Sequence, residues 1–128
     1  MKIRDLDASH REPIKISADR IMEDGMRRLL DNKVSSLIVV DSDNKPVGII
    51  TERDIFHLAY RFRGDMMDIR IGEHMTTNLV VCHPDDDLDD TARRMLEKKF
   101  RHMPITDEQN NLVGMLSIRD IVRAKLND

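Results

Sequence analysis

A stretch of eight residues occurs twice in this sequence, at positions 48–55 and, 66 residues further along, at positions 114–121. Each copy reads Gly, two apolar residues, a hydroxyl residue, any residue, Arg, Asp and an apolar residue. At the same offset, residues 14–60 align with residues 80–126 without a gap and give thirteen identical pairs. Unrelated sequences of ordinary composition would give roughly three such pairs. The chain is therefore an internal duplication, and we expect its two repeats to share one fold.

The hydrophobic pattern predicts the order β-α-β-β-α in each repeat. Extended segments at 13–16 and 79–82 precede amphipathic helices, whose apolar positions are Met22, Met26, Leu29 and Leu30 in the first repeat and Leu88, Ala92, Met95 and Leu96 in the second. Apolar runs at 37–40 and 47–50, and again at 103–106 and 113–116, predict two hairpins with Asp- and Asn-rich turns. A helical pattern follows each hairpin, and a short helix is predicted at 69–75. The fold class is thus α/β (α+β), with repeats at 1–62 and 68–128 and a linker at 63–67.

Charge and composition disfavour several classes of protein. The net charge is −3 over 128 residues, which argues against binding of nucleic acid because a phosphate backbone selects a basic surface. No apolar run is long enough to span a membrane, and no leader peptide is recognised. Cys82 is the single cysteine, which excludes an intramolecular disulfide and fits a reducing compartment. We therefore expect a soluble cytoplasmic protein with no membrane partner.

Three polar residues stand in the same order where a strand is predicted to meet a helix: Thr51, Arg53 and Asp54 in the first copy, and Ser117, Arg119 and Asp120 in the second. The hydroxyl suits a helix N-cap, and an Asp three residues later suits the positive end of the helix dipole. The same geometry suits a nucleoside phosphate, because the helix N-terminus attracts phosphate and an ionised Asp accepts hydrogen bonds from ribose hydroxyls. The preceding Gly lets a flat ring or a backbone segment approach. Both interpretations stay open at this point.

Two β-α-β-β-α repeats that each end in Gly-apolar-apolar-Thr/Ser-x-x-Asp resemble a tandem pair of cystathionine-β-synthase (CBS) domains, called a Bateman module. The resemblance covers essentially the whole chain. Residues 100–105, a basic turn that enters a strand before Pro104, resemble the second signature of that family. The resemblance implies two repeats packed around a pseudo-twofold axis with two clefts between them. It also implies a regulatory module and not an enzyme, in agreement with the lack of a recognisable catalytic motif.

The resemblance further implies that each cleft takes residues from both repeats. The first cleft would use Thr51, Arg53 and Asp54, with Leu79 and Val80 against the base and Arg101 and His102 facing the phosphate. Pro104, of the same stretch, also counts among the ligand-binding residues. The second cleft would use Ser117, Arg119 and Asp120, with Ile14 and the turn at Ser35 and Ser36. Two serines thus stand where the other repeat has Arg101 and His102. We therefore expect the Asp54 cleft to bind a phosphorylated ligand more tightly.

The expected function is that of a sensor for an adenosine-containing ligand. AMP, ADP and ATP come first, with NAD(H) and S-adenosylmethionine next, and the nucleotide acts as a regulatory ligand with no obligatory cofactor. We expect a homodimer through exposed helical faces at 56–62 and 122–126, and an effector protein that the sequence does not identify. The alternative is a structural or partner-docking CBS module with no physiological nucleotide.

A metal site is disfavoured by the positions of the candidate ligands. Cys82 and His83 are adjacent on a predicted strand, so their side chains are expected to point to opposite faces. The acidic run at 85–90 lacks the glycine-centred loop of an EF-hand. Its position at a predicted helix start is the simpler explanation, because the helix dipole favours acids there. We expect no metal ligand.

Overall fold

The computed structural model describes residues 1–127, so Asp128, the last residue of the predicted second repeat, lies outside it. Two short 3-10 turns, Ile3–Asp5 and Asp7–His10, precede the regular elements. These elements are β1 Lys15–Ser17, α1 Met22–Asn32, β2 Ser36–Val40, β3 Pro46–Thr51, α2 Glu52–Phe62, α3 Ile71–His74, α4 Leu88–Lys98, β4 His102–Thr106, β5 Leu112–Ser117 and α5 Ile118–Leu126. The mixture of helices and strands confirms the predicted fold class.

The chain divides into two compact units. One consists of Ile14–Leu79 and is called the Asp54 unit below; the other, the Asp120 unit, combines Met1–Pro13 with the chain from Val80 onward. The N-terminal segment thus packs with the second repeat, and the segment that follows α2 packs with the first. Each unit has its own cluster of buried apolar residues.

The Asp54 unit is built on a three-stranded sheet in the order β1-β2-β3. Strand β1 is parallel to β2, and β2 is antiparallel to β3. Every residue of β2 is buried, as its uninterrupted apolar sequence predicts. Helix α1 buries Met22 and Leu29 with the sheet residues Leu37 and Ile50. It is capped by the following residue, Lys33, which has a left-handed backbone (φ 54°) and whose N–H donates to the carbonyl groups of Leu29 and Leu30.

The Asp120 unit contains the hairpin β4-β5, but the strand predicted at 79–82 is reduced to one parallel bridge between Cys82 and Ile105. The Asp54 unit shows why. There, Ala18 N–H donates to Val40 and Ile38 N–H donates to Ile14, which extends the parallel ladder in both directions. The residues 66 positions later are Pro84 and Pro104. Because proline has no N–H, neither of the two neighbouring hydrogen bonds can form.

Several large apolar side chains are exposed, and two of them contradict the helix faces expected from the sequence. Leu30 of α1 is 77% exposed and Leu96 of α4 is 70% exposed, whereas both were expected on the packed face. Exposed side chains elsewhere include Phe56 and Tyr60 of α2 and Val122 and Leu126 of α5. Among residues 1–127, no helix combines the length and the apolarity needed to cross a bilayer.

Candidate functional site

Thr51 and Asp54 form a reciprocal capping box at the start of α2. The Thr51 hydroxyl oxygen accepts a hydrogen bond from the Asp54 N–H at 3.1 Å. In return, Oδ2 of Asp54 accepts from the Thr51 N–H at 2.9 Å and from the Thr51 hydroxyl at 3.0 Å. The two bonds from the N–H groups of Asp54 and Thr51 satisfy backbone donors that a helix start leaves without partners, and the third joins the two side chains. They also fix the orientation of the Asp54 carboxylate.

Ser117 and Asp120 repeat this arrangement at the start of α5. The Ser117 hydroxyl oxygen accepts from the Asp120 N–H at 3.1 Å, and Oδ2 of Asp120 accepts from the Ser117 N–H at 2.9 Å and from its hydroxyl at 2.8 Å. The helix-capping interpretation of both pairs is therefore confirmed. Each Asp keeps a second oxygen, Oδ1, outside the capping box, and it is this oxygen that distinguishes the two units.

Oδ1 of Asp54 is reached by Thr76, whose hydroxyl lies 3.4 Å away and makes at most a weak hydrogen bond. Oδ1 of Asp120 instead accepts from the guanidinium of Arg11 at 2.8 Å. Burial raises the pKa of Asp120, but the hydrogen bonds from Ser117 and the ion pair with Arg11 outweigh it and lower the pKa overall. Asp120 is thus an ionised group whose charge already has a partner.

The glycine of each repeated stretch allows close approach by the chain itself. A Cβ at Gly48 would lie 3.0 Å from the carbonyl oxygen of Thr76 and would overlap the side chain of Met75. A Cβ at Gly114 would lie 2.8 Å from the carbonyl oxygen of Ala8. Of the two partners expected from the sequence, a ring or a backbone, the structure therefore shows the backbone within each unit.

The residues that precede each hairpin lie beside the junction of their own unit. Ser36 is in register with Thr51, and the Ser35 carbonyl accepts a hydrogen bond from Glu52. His102 is likewise in register with Ser117, and the Arg101 carbonyl accepts from Ile118. The contribution of these residues to a site of the other repeat stays a prediction from the family resemblance.

The remaining predicted residues are distributed over both units. Ile14 packs on the core of the Asp54 unit and Val80 on that of the Asp120 unit. Leu79 is partly buried, and Pro104 is buried in β4. Arg53 and Arg119 are exposed at the first turns of α2 and α5.

Arg11 and Thr76 were not predicted from the sequence. The 66-residue offset, extended backwards, pairs residues 10–11 with residues 76–77 and so marks both segments as equivalent. It does not indicate which side chain reaches a carboxylate, because that depends on the path of an irregular segment.

The cysteine and histidine that the sequence places side by side point apart. Cys82 is fully buried and its S–H donates to the Pro104 carbonyl at 3.5 Å, whereas His83 is exposed and its Nδ1 lies 3.0 Å from the Thr106 carbonyl oxygen. Burial raises the pKa of the Cys82 thiol to about 12, so the reactive thiolate is disfavoured. Within the described part of the chain, no group of three or more His, Cys, Asp or Glu side chains is arranged to hold a metal ion.

Known proteins resemble this chain in sequence. The CBS domain model matches it twice, at residues 3–61 and 70–127. An uncharacterised 17.7 kDa protein of Acidianus ambivalens is 37% identical over 101 residues, which are 79% of this chain and 60% of that protein. The inosine-5′-monophosphate dehydrogenase of Nitrosopumilus maritimus is 31% identical over 109 residues, or 85% of this chain and 21% of the enzyme. The chain therefore spans less than two thirds of either relative.

Solved structures of CBS domain proteins also resemble this chain. A CBS domain protein designated NE2398 superposes with a TM-score of 0.87 at 25% identity and covers 98% of each chain. The CBS domain pair of protein MJ0100, solved with 5′-methylthioadenosine and S-adenosyl-L-methionine, has a TM-score of 0.84 at 26% identity, over 99% of this chain and 97% of that one. CBSX2, a protein of Arabidopsis thaliana, was solved with AMP and has a TM-score of 0.82 at 27% identity, over 98% and 96%. With two family matches that together cover most of its length, the chain belongs to the CBS domain family and carries that domain in tandem.

Proposed function

We propose that this protein is a regulatory module that binds an adenosine nucleotide and reports it to an effector protein. AMP, ADP and ATP are the first candidates, followed by NAD(H) and S-adenosylmethionine. The observation that carries the proposal is the state of the Asp54 carboxylate. Its Oδ2 is held by Thr51, while among the described residues its Oδ1 is reached by the Thr76 hydroxyl alone, at 3.4 Å.

An oriented carboxylate with an accessible oxygen suits a ribose. A ligand hydroxyl that donates to Oδ1 forms a charge-assisted hydrogen bond. Because the capping box already fixes the side chain, little rotational freedom is lost when the ligand binds. Arg53, one residue earlier on the same helical turn and exposed, supplies a cation for phosphate near the positive end of the α2 dipole.

The ligands of similar proteins support the choice of adenosine. The AMP of CBSX2 and the two ligands of the MJ0100 pair share an adenosine group. A ribose-binding acid suits all three, because the hydroxyl groups of ribose are common to them. The regulatory mechanism would be differential binding, in which the nucleotide favours one conformation of the module over another.

A docking module with no nucleotide is the second candidate. The capping boxes alone give Thr51 and Asp54 a structural role, and the exposed Phe56 and Tyr60 offer an apolar surface to a partner. This candidate explains the helix ends but leaves the accessible Oδ1 of Asp54 without a role.

Thermal unfolding with AMP, ADP, ATP, NADH or S-adenosylmethionine at millimolar concentration tests the proposal. A ligand present at one hundred times its dissociation constant adds about 2.7 kcal/mol to the free energy of unfolding. We expect at least one compound to raise the melting temperature. If none does, the nucleotide proposal is wrong and the docking module replaces it.

The variant Asp54→Asn separates binding from capping. An amide oxygen still accepts from the Thr51 N–H, whereas the charge offered to the ribose is lost. We expect the affinity to fall by about 1.5–3 kcal/mol, the value of a hydrogen bond to a charged group. Asp87→Asn is the matched control, because Asp87 caps α4 by accepting from the Asp90 N–H at 3.1 Å and lies outside the proposed site. An equal loss of affinity in both variants would contradict the ribose role of Asp54.

A further inference from the structure

The two equivalent carboxylates differ in the charge that faces them. In the Asp120 unit, Arg11 of the N-terminal segment donates to Oδ1 at 2.8 Å. In the Asp54 unit, the corresponding oxygen faces a neutral threonine at 3.4 Å. Asp120 is also well shielded, with 11% of its side chain exposed, while Arg11 is 56% exposed. An exposed guanidinium thus pairs with a carboxylate that is mostly shielded from solvent.

Equivalent segments of the chain carry these two residues. Ala8, before Arg11, contacts Gly114 of β5, and Met75, before Thr76, contacts Gly48 of β3. In both cases the segment passes over the glycine of the hairpin and then reaches the Asp of the following helix. The two paths differ in detail, because Arg11 follows the 3-10 turn Asp7–His10 whereas Thr76 is bridged to Ile49 of β3. The side chain that reaches the outer oxygen of the Asp is a cation in one unit and a hydroxyl in the other.

We propose that Arg11 is a selectivity residue that occupies the outer oxygen of Asp120, so that a nucleotide ribose binds at Asp54 in preference to Asp120. This inference rests on the proposed function, since it assigns the nucleotide to one of two similar acids. When a ribose binds at Asp120, its neutral hydroxyl must replace the charged guanidinium of Arg11 as the donor to Oδ1. Arg11 of the N-terminal segment thus blocks the Asp120 site, and a ligand that binds at Asp120 has to displace it.

The mechanism follows from the hydrogen-bonding capacity of the carboxylate. Oδ2 of Asp120 is already bonded to the N–H and the hydroxyl of Ser117. With Arg11 on Oδ1, both oxygens have donors and the negative charge is paired. Removal of the guanidinium restores at Asp120 the state that Asp54 has, a capped carboxylate with one accessible oxygen.

AMP binding by calorimetry in an Asp54→Asn background tests the proposal, because the first site is weakened there and a gain in affinity at the second can be detected. We expect Asp54→Asn with Arg11→Ala to bind AMP about tenfold or more tightly than Asp54→Asn alone, which corresponds to about 1.4 kcal/mol. Arg11→Gln, which keeps most of the side-chain length and removes the charge, is expected to act in the same direction. Adding Asp120→Asn should abolish the gain.

Arg4→Ala in the same background is the matched control. Arg4 also belongs to the N-terminal segment and forms an exposed ion pair, with Asp85, so this variant removes a similar pair away from the site. We expect it to leave AMP binding unchanged. In the reverse experiment, Thr76→Arg in the otherwise native chain should weaken AMP binding at Asp54 about tenfold, since it brings a guanidinium to an unpaired carboxylate.

The outcomes separate the two proposals. If the native chain binds AMP through Asp54 but the Arg11 variants gain nothing, the role of Arg11 is wrong and the proposed function stands. If the Arg11 variants bind AMP less well than their parent, Arg11 is a ligand contact, which overturns the inference. If neither the native chain nor any Arg11 variant binds AMP, the inference falls together with AMP as the ligand.

Discussion

His102 illustrates at the level of one residue how burial changes the chemistry that a sequence suggests. From the sequence it counts with Arg101 as a second basic group for phosphate. In the structure it is partly buried on β4, and this burial lowers its pKa below the usual 6.5, although Asp120 acts in the opposite direction and Arg101 adds to the lowering. At pH 7 the ring is therefore neutral and can donate or accept a hydrogen bond with a ligand. Of the two residues, Arg101 alone carries a permanent positive charge.

The lowered pKa of His102 predicts a loss of stability in mild acid. The unfolded chain binds a proton at His102 more readily than the folded protein does. The neutral ring therefore contributes fully to the free energy of unfolding above about pH 6.5, and this contribution is lost as the pH falls through the pKa of the folded state. Titration of the His102 ring by NMR, with its signal identified from His102→Gln, should give a pKa below 6.5. The same variant should make the free energy of unfolding less dependent on pH between 5 and 7. A measured pKa above 6.5 would contradict this account.

At the level of elements, the sequence predicts the order and the type of the helices and strands well, but it predicts less well which of their side chains are exposed. The capping boxes at α2 and α5 follow directly from Thr51, Asp54 and their repeats, because a cap depends on residues three positions apart. The missing strand at 79–82 depends on Pro104, which acts from another part of the chain. The two prolines are visible in the sequence, but their effect requires the register between Cys82 and Ile105.

Adjacent leucines of α1 provide a direct test of which helix face is packed. Leu29 is 5% exposed and Leu30 is 77% exposed, although the hydrophobic pattern includes both. We expect Leu29→Ala to lower the free energy of unfolding by about 2–5 kcal/mol, because it leaves a cavity in the core of the Asp54 unit. Leu30→Ala should change it by about 0.5 kcal/mol or less, as is usual for surface sites. Urea denaturation measures both, and equal effects would show that Leu30 is covered in solution.

For the whole molecule, the duplication explains why the assignment of segments to units was hard to predict. The 66-residue offset shows that the N-terminal segment and the segment after α2 are alike, but not which repeat each one packs against. The structure assigns Met1–Pro13 to the second repeat, where Ile3, Leu6 and Ala8 enter the core. The sequence contains no local signal for this choice, since it depends on tertiary contacts between segments that are far apart in the chain.

The exposed apolar residues of α2 and α5 make the expected homodimer testable. Phe56 and Tyr60 lie one turn apart and are 78% and 76% exposed, and Val122 and Leu126, at the same positions of the second repeat, are 50% and 79% exposed. Side chains four residues apart form a continuous stripe on a helix, and such apolar stripes on a protein surface commonly mark an interface. We expect sedimentation equilibrium at micromolar concentration to give the mass of a dimer.

The double variant Phe56→Glu with Tyr60→Glu should shift this equilibrium to the monomer, because it places two charges in the interface. Leu30→Glu with Leu96→Glu is the matched control: these leucines are 77% and 70% exposed but lie singly on α1 and α4, so their replacement should leave the dimer intact. A monomeric native chain would contradict the dimer itself, and dissociation by the control pair alone would move the interface to α1 and α4. Since both stripes begin within five residues of Thr51 or Ser117, an interface on them would lie on the same helices that the proposed nucleotide contacts at their first turns.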